Sequence, residues 1–258
     1  MERVIKMKMT ENIAYKDTGN DRHLLDVWVP DAESFPVYIN FHGGGITSGS
    51  KTSQNPFVEH LAEQGVMVVN ANYRLYPNAK YPEFIEDAAA VVKWAMDNAK
   101  NYGNPTSFFV GGESAGGYIS LMLCFAKQFL AKEGIDADSL AGYVFNAGQP
   151  TAHFNVLKEH GEDSRRVIID ERAPIYYIDD TRTYPPMQIF VADNDMENRY
   201  EQTMLLMSTI KHFGHDMEKV DFHYMEGYRH CRYTNEVIDG RCRFSDMVAE
   251  FIKKYEVK

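Results

Sequence analysis

Residues 108–120 read FFVGGESAGGYIS and set one serine, Ser114, among four glycines with an apolar run on either side. Glycine costs conformational entropy in a strand or a helix, so four around one hydroxyl need a backbone reason. Gly112-Glu113-Ser114-Ala115-Gly116 fits G-x-S-x-G, the sharp strand-to-helix turn that presents a nucleophilic serine. A phosphate loop is the competing reading, and it fails. No lysine follows GGESAGG, and in the nearer decoy GGITSGSKT Ser50 intrudes before Lys51. A serine nucleophile needs a base to take its proton, an acid to orient that base, and donors for the oxyanion. The donors are legible upstream, where His42-Gly43-Gly44-Gly45 closes an apolar run and lets the backbone bring N–H groups close to a substrate.

In folds with this turn the partners follow in the order serine, acid, histidine. After the apolar run at 187–192 stand two acids, Asp193 and Asp195. Asp193 beside Asn194 also suits a plain turn. Of nine histidines, those before the acid drop out, leaving His212, His215, His223 and His230. His212 and His215 end a helical pattern, where a cation suits the dipole without further purpose. His223 lies inside a strand pattern, and His230 follows it in the loop MEGYRHCRYT, which leaves His230 as the base.

The combination His42-Gly-Gly-Gly45, Tyr73-Arg74-Leu75 with Pro77, and Gly112-Glu-Ser-Ala-Gly-Gly117 resembles the hormone-sensitive-lipase-like carboxylesterases of the α/β-hydrolase superfamily. The opening YKDTGNDRHLLDVWVP is similar to the compact feruloyl and acetyl-xylan esterases of that group. The resemblance spans nearly the whole chain. It implies that Gly44, Gly45 and Ala115 supply oxyanion-hole N–H groups and that His230 lies in the family's glycine-containing histidine loop. It also implies that the acid stands three residues after a small residue, which from Ala192 selects Asp195. Lipase-like members carry a long N-terminal cap before this glycine motif, whereas only 41 residues precede His42 here. A cover over the site is therefore expected from elsewhere in the chain.

The positioning elements follow from periodicity. Short apolar runs at 24–29, 37–42, 66–71, 107–112, 141–148, 187–192 and 219–225 read as strands covered on both faces. Helical patterns occupy 55–65, 82–100, 114–130, 197–214 and 245–255. In the second of these, Phe84, Ala88, Val91, Val92, Ala95 and Ala99 share one face. This alternation predicts an α/β-hydrolase fold: one domain over residues 1–258, with a mostly parallel sheet and helices on both faces. Residues 149–186 show no period and carry many charges and aromatics, so they are expected to be a small cap insertion that shapes the site. Tyr118, Tyr176, Tyr177 and Tyr184 are candidates for an aromatic pocket, and Tyr73 and Arg74 for bracing the site.

Composition narrows the function classes. The 258 residues are 44% hydrophobic and carry 37 acidic against 27 basic side chains, net −10. Without a basic run, nucleic acid and anionic membrane are poor partners. Cys124, Cys231 and Cys242 are too few for a disulfide framework, and Cys231 beside His230 reads as a packed cysteine. His212-x-x-His215 has no carboxylate or cysteine completing a ligand set, so no metal or cofactor is expected. The N-terminal stretch lacks a signal-peptide core, which points to a cytoplasmic protein. The expected activity is a serine carboxylesterase acting on small esters, short acyl, acetyl-sugar or hydroxycinnamoyl. An amide-cleaving relative such as an arylformamidase or small serine peptidase uses the same triad, and a non-catalytic ligand-binding hydrolase fold is the third reading.

Overall fold

Strand β1 (Met7–Ala14) leads to β2 (Leu24–Pro30), β3 (Ser34–Phe41), helix α1 (Asn55–Glu63), β4 (Met67–Ala71), α2 (Glu83–Asn98), β5 (Asn104–Glu113) and α3 (Ala115–Phe125). Then come α4 (Gln128–Lys132), β6 (Gly142–Asn146), α5 (Phe154–Glu159), β7 (Met187–Asn194), α6 (Arg199–His212), β8 (Val220–Arg229), the short pair β9 (Val237–Ile238) and β10 (Arg241–Cys242), and α7 (Arg243–Tyr255). The computed structural model describes residues 7–180 and 183–257. Eight strands form one sheet in the order β1-β2-β4-β3-β5-β6-β7-β8. From β4 to β8 every pairing is parallel, while β1 and β2 join antiparallel at one edge.

The strand runs are apolar at nearly every position because both faces are covered. Val37, Ile39 and Phe41 point to a layer with Phe84, Val91, Ile119, Met122 and Leu206 from α2, α3 and α6. Tyr38, Val68, Phe109 and Phe190 point the other way, onto Phe57, Leu61, Val248 and Phe251 of α1 and α7. Side chains alternate along each strand, so a continuous apolar run fills both layers at once.

Two elements depart from the periodicity reading. Strand β1 is an edge strand, almost wholly exposed, and its sequence MKMTENIA carries no apolar alternation; it forms by pairing with β2, from Met7 opposite Pro30 to Ala14 opposite Leu24. The helical pattern at 114–130 is broken: α3 stops at Phe125, Ala126 leaves helical geometry at φ −85° and ψ 66°, and α4 restarts at Gln128. All eleven residues of α3 are buried, so its pattern marks a core helix rather than an amphipathic one and carries no end signal.

Among its described residues the interval 149–186 adds no strand to the sheet. It contains α5 and a 3₁₀ turn at Pro174–Tyr177, and Thr181 and Arg182 lie outside the described residues. It packs back on the body through Tyr118, whose hydroxyl donates to the Arg172 carbonyl at 2.7 Å, and through Tyr81, whose hydroxyl donates to the Glu171 carbonyl at 2.7 Å. Tyr118 and Tyr184 are buried, Tyr184 beside a surface hollow lined by Asp138, Leu140, Lys219 and Tyr255, and Tyr176 is 57% exposed.

Candidate active site

The glycine run and the three residues expected as serine, acid and base each stand at the carboxyl end of a parallel strand. The glycine run follows β3, Ser114 follows β5, Asp195 follows β7 and His230 follows β8. Open α/β sheets gather their ligand sites at this edge, because the strand ends and helix N-termini converge there.

Ser114 sits at φ 55° and ψ −109°, a conformation outside the ordinary allowed regions for a residue with a side chain. Holding it costs about 1–3 kcal/mol, offset by what surrounds it. Its N–H donates to the Asn146 carbonyl at 2.8 Å, and its carbonyl accepts from Tyr118 N–H at 2.9 Å as the first bond of α3. The turn closes because Gly112 and Gly116 lack side chains. A Cβ on Gly112 would lie 2.6 Å from the Gly116 carbonyl carbon, and one on Gly116 would lie 2.5 Å from the Phe41 carbonyl carbon.

His230 Nε2 lies 2.8 Å from Ser114 Oγ, and His230 Nδ1 lies 2.5 Å from Asp195 Oδ1. An ionised carboxylate can only accept, so the ring proton belongs on Nδ1 and the Nε2 lone pair faces the serine hydroxyl. Asp195 is almost fully buried. Burial opposes its ionisation, but hydrogen bonds from His230, Met196 N–H and Ala192 N–H outweigh that and hold its pKa below the ordinary 3.8. Asp193 is used differently: it accepts from Gly227 N–H at 2.9 Å and from Asn194, and so ties the end of β8 to the acid loop. His223 stacks on Phe190 and meets Gln188 and Asp221, on the flank of the sheet.

Two consequences are testable. Asp195→Asn is expected to lower kcat by about 10⁴-fold through the wrong ring tautomer, whereas Asp193→Asn changes it by no more than about threefold. Because the folded state holds the Asp195 pKa below 3.8, the unfolded chain binds the proton first, and the stabilisation is present above that value and lost as pH falls through the lower one. The difference in unfolding free energy between wild type and Asp195→Asn should therefore shrink as pH is lowered from 7 to below about 3.8, read by denaturant titration at each pH.

Among the described residues no acceptor takes the N–H of Gly44, Gly45 or Ala115. Their peptide planes are fixed from the opposite end, since a trans peptide points its C=O and N–H in opposite directions. The Gly43 carbonyl lies 2.6 Å from His42 Nδ1. The Gly44 carbonyl accepts from Thr47 N–H, Ser48 N–H and the Ser48 hydroxyl. Ala115 N–H belongs to the peptide whose carbonyl starts α3, so it opens the helix N-terminus. Gly44 turns at φ 112°, where a Cβ would meet the Ser48 carbonyl carbon at 2.6 Å. Tyr73 braces this loop, its hydroxyl donating to the His42 carbonyl at 2.8 Å. Arg74 instead joins Asp87 and Glu83 away from it. Lys51, the lysine of the phosphate-loop decoy, is buried against Asp26 at 2.6 Å.

Residues that periodicity did not single out hold the site together. Burial raises the Glu113 pKa, against the opposing influence of Thr234, His230 and Gln54. Thr234 Oγ1 accepts from Asn146 Nδ2 at 2.8 Å. Tyr233 OH donates to Asn146 Oδ1 at 2.6 Å. The loop carrying His230 is thus fastened to the end of β6. From the insertion, Asn155 Nδ2 donates to the Gly45 carbonyl at 2.5 Å. Glu113 could have been flagged from its place inside the serine motif; Asn155 and Thr234 carry no local signal. Burial pushes the Cys231 thiol well above its ordinary value, leaving it a poor nucleophile.

A family model described as alpha/beta hydrolase fold matches residues 38–167, half of the chain. The chain is 32% identical over 146 residues to a versiconal hemiacetal acetate esterase of Dothistroma septosporum, covering 56% of this chain and 43% of that protein. It is 31% identical over 121 residues to carboxylesterase NlhH of Mycobacterium tuberculosis, covering 46% of this chain and 38% of that one. The chain thus spans less than half the length of these relatives. Among solved structures, esterase B of Lactobacillus Rhamnosis superposes with a TM-score of 0.80 at 16% identity, over 99% of this chain and 87% of that one. A truncated carbohydrate esterase from gut microbiota superposes at 0.77 and 17% identity, over 100% and 99%. These likenesses extend the shared fold across the full sheet, and the matched half, with its glycine run and serine turn, places the chain in the alpha/beta hydrolase fold family, in its hormone-sensitive-lipase-like group.

Proposed function

We propose that the protein is a serine carboxylesterase that hydrolyses short-chain carboxylic esters through an acyl-enzyme. The observation that carries this reading is the unbroken line from Ser114 Oγ to His230 to Asp195, at 2.8 and 2.5 Å, beside three backbone N–H groups that no acceptor takes among the described residues. His230 Nε2 takes the Ser114 proton as Oγ attacks the acyl carbon, and Asp195 stabilises the imidazolium. The carbonyl oxygen, now negative, is received by the N–H groups of Gly44, Gly45 and Ala115. His230 then gives its proton to the leaving alcohol. A water repeats the sequence on the acyl-enzyme and releases the acid.

The insertion at 149–186 acts in this reading as the cover that sets acyl length. Helix α5 brings the Asn155 amide and the Phe154 ring to Gly45, where a Cβ would meet them at 3.0 and 3.7 Å. Little space is left beside that oxyanion donor, which favours small acyl groups. The acetate ester named for the Dothistroma relative is of that size.

The test is a panel of p-nitrophenyl esters from acetate to decanoate, with feruloyl and acetyl-sugar esters and N-formylkynurenine alongside. The expected result is the highest kcat/KM between acetate and butyrate. Removing the ring with Phe154→Ala is expected to move the optimum to longer chains by about 10-fold in relative kcat/KM, roughly the discrimination one or two methylenes provide. Turnover of the formamide above every ester would make the protein an amide-cleaving relative instead.

A further inference from the structure

Arg22 lies outside the glycine run and the serine turn, within the opening stretch YKDTGNDRHLLDVWVP, on a 3₁₀ turn at Asp21–His23 before β2. Its backbone is held by Asn20, whose side chain accepts from Arg22 N–H at 2.9 Å, and by Tyr15, whose hydroxyl donates to the Arg22 carbonyl at 3.2 Å. The guanidinium reaches the glycine run with three separate donors. Nε donates to the Tyr73 carbonyl at 3.0 Å, Nη1 to the Gly49 carbonyl at 3.1 Å, and Nη2 lies 3.0 Å from His42 Nε2.

The third contact decides the state of the histidine. A guanidinium has donors and no acceptor, so His42 Nε2 must be the unprotonated nitrogen. The ring is neutral, burial pushing its pKa down to about 3. Its single N–H is therefore on Nδ1, which stands 2.6 Å from the Gly43 carbonyl. The ring cannot turn away from that carbonyl. Tyr73 stacks on it at 4.4 Å and 14°, and Gly49 presses on Nδ1 so closely that a Cβ there would lie 2.6 Å from it. Pinning the Gly43 carbonyl fixes the direction of Gly44 N–H at the other end of the same peptide.

We propose that Arg22 is a positioning residue for the oxyanion site: by donating to His42 Nε2 it sets the Nδ1–H tautomer, which holds the Gly43–Gly44 peptide with its N–H turned to the substrate oxygen. This rests on the reading of Gly44 N–H as an oxyanion donor. Arg22 touches neither the serine nor the substrate, and its planar fork spans three acceptors that a lysine ammonium cannot reach together.

The experiment has two arms on the full chain. In the first, the long-range ¹⁵N–¹H spectrum of the wild type is expected to show His42 as the Nδ1–H tautomer, with a ring that does not titrate between pH 5 and 8. In Arg22→Met that tautomer signature should be lost or mixed. In the second, Arg22→Met is expected to lower kcat on p-nitrophenyl acetate by about 10- to 100-fold, less than the loss of an entire oxyanion donor, with KM within about threefold. A wild-type Nε2–H tautomer would overturn the proposal even if the variant did not fold. So would an unchanged kcat, or a loss confined to KM. If the wild type shows no Ser114-dependent turnover, the esterase reading fails separately, and retention of the Nδ1–H tautomer in Arg22→Met still overturns the positioning role.

Discussion

Ser114→Ala is expected to lower kcat on p-nitrophenyl acetate by about 10⁵–10⁶-fold while the protein stays folded. The loss is large because the serine, histidine and acid act as a unit. With Oγ gone, His230 has no hydroxyl to deprotonate, and the remaining rate reflects only the N–H donors and binding. Stability should change by no more than about 1 kcal/mol, since the hydroxyl's hydrogen bond to His230 is a single partly exposed one. Alanine also keeps the backbone conformation at φ 55°, so the strain of the turn is neither relieved nor increased. Activity within tenfold of wild type, measured on protein free of contaminating esterase, would mean that the nucleophile lies elsewhere.

Gly116→Ala is expected to unfold or badly distort the site through one methyl group. Its Cβ would lie 2.5 Å from the Phe41 carbonyl carbon and 2.8 Å from the His42 carbonyl oxygen. Both obstacles are backbone, so no side chain can rotate away, and either α3 or the end of β3 must move. The cost of such overpacking is about 3 kcal/mol or more, equivalent to a fall in thermal midpoint of roughly 6–12 °C for a chain of this size. Because the His42–Gly45 run follows Phe41 directly, any shift also separates the serine from the proposed oxyanion donors. A displacement of about 1 Å costs on the order of 10²-fold in rate, so kcat should drop at temperatures where the variant is still folded. Calorimetry and turnover on the same sample check both parts. Wild-type values for each would show that the turn has more room than the packing implies.

These two residues also explain why so much of the architecture was legible in the sequence. Gly112, Gly116 and Gly44 are imposed by backbone proximity, and a backbone constraint leaves a residue type that can be read without knowing the partner. The parallel strands were legible for a related reason: Val37, Ile39 and Phe41 face one layer and Tyr38 the other, so both faces demand apolar residues and the run is continuous. Strand β1 was not legible because exposure on both faces leaves no pattern, and only its hydrogen bonds to β2 define it. The choice between Asp193 and Asp195 illustrates a different boundary. Asp193 is the penultimate residue of β7 and Asp195 the first beyond it, and what separates them is direction: Asp195 meets His230, and Asp193 meets Gly227 N–H. Direction at a strand end depends on the turn, which composition does not encode. Arg22 and Thr234 act across 20 residues of chain to His42 and 88 to Asn146, and such long-range partners leave no local mark.

In the proposed reaction Ser114 Oγ is the atom that carries the acyl group. The most direct measurement is labelling of the full chain with a fluorophosphonate, followed by intact mass and peptide mapping. The expected result is one adduct per chain on Ser114, formed at the rate at which ester turnover is lost, and no adduct on Ser114→Ala. Complete inactivation with the adduct on another residue, or full turnover by chains labelled at Ser114, would contradict it.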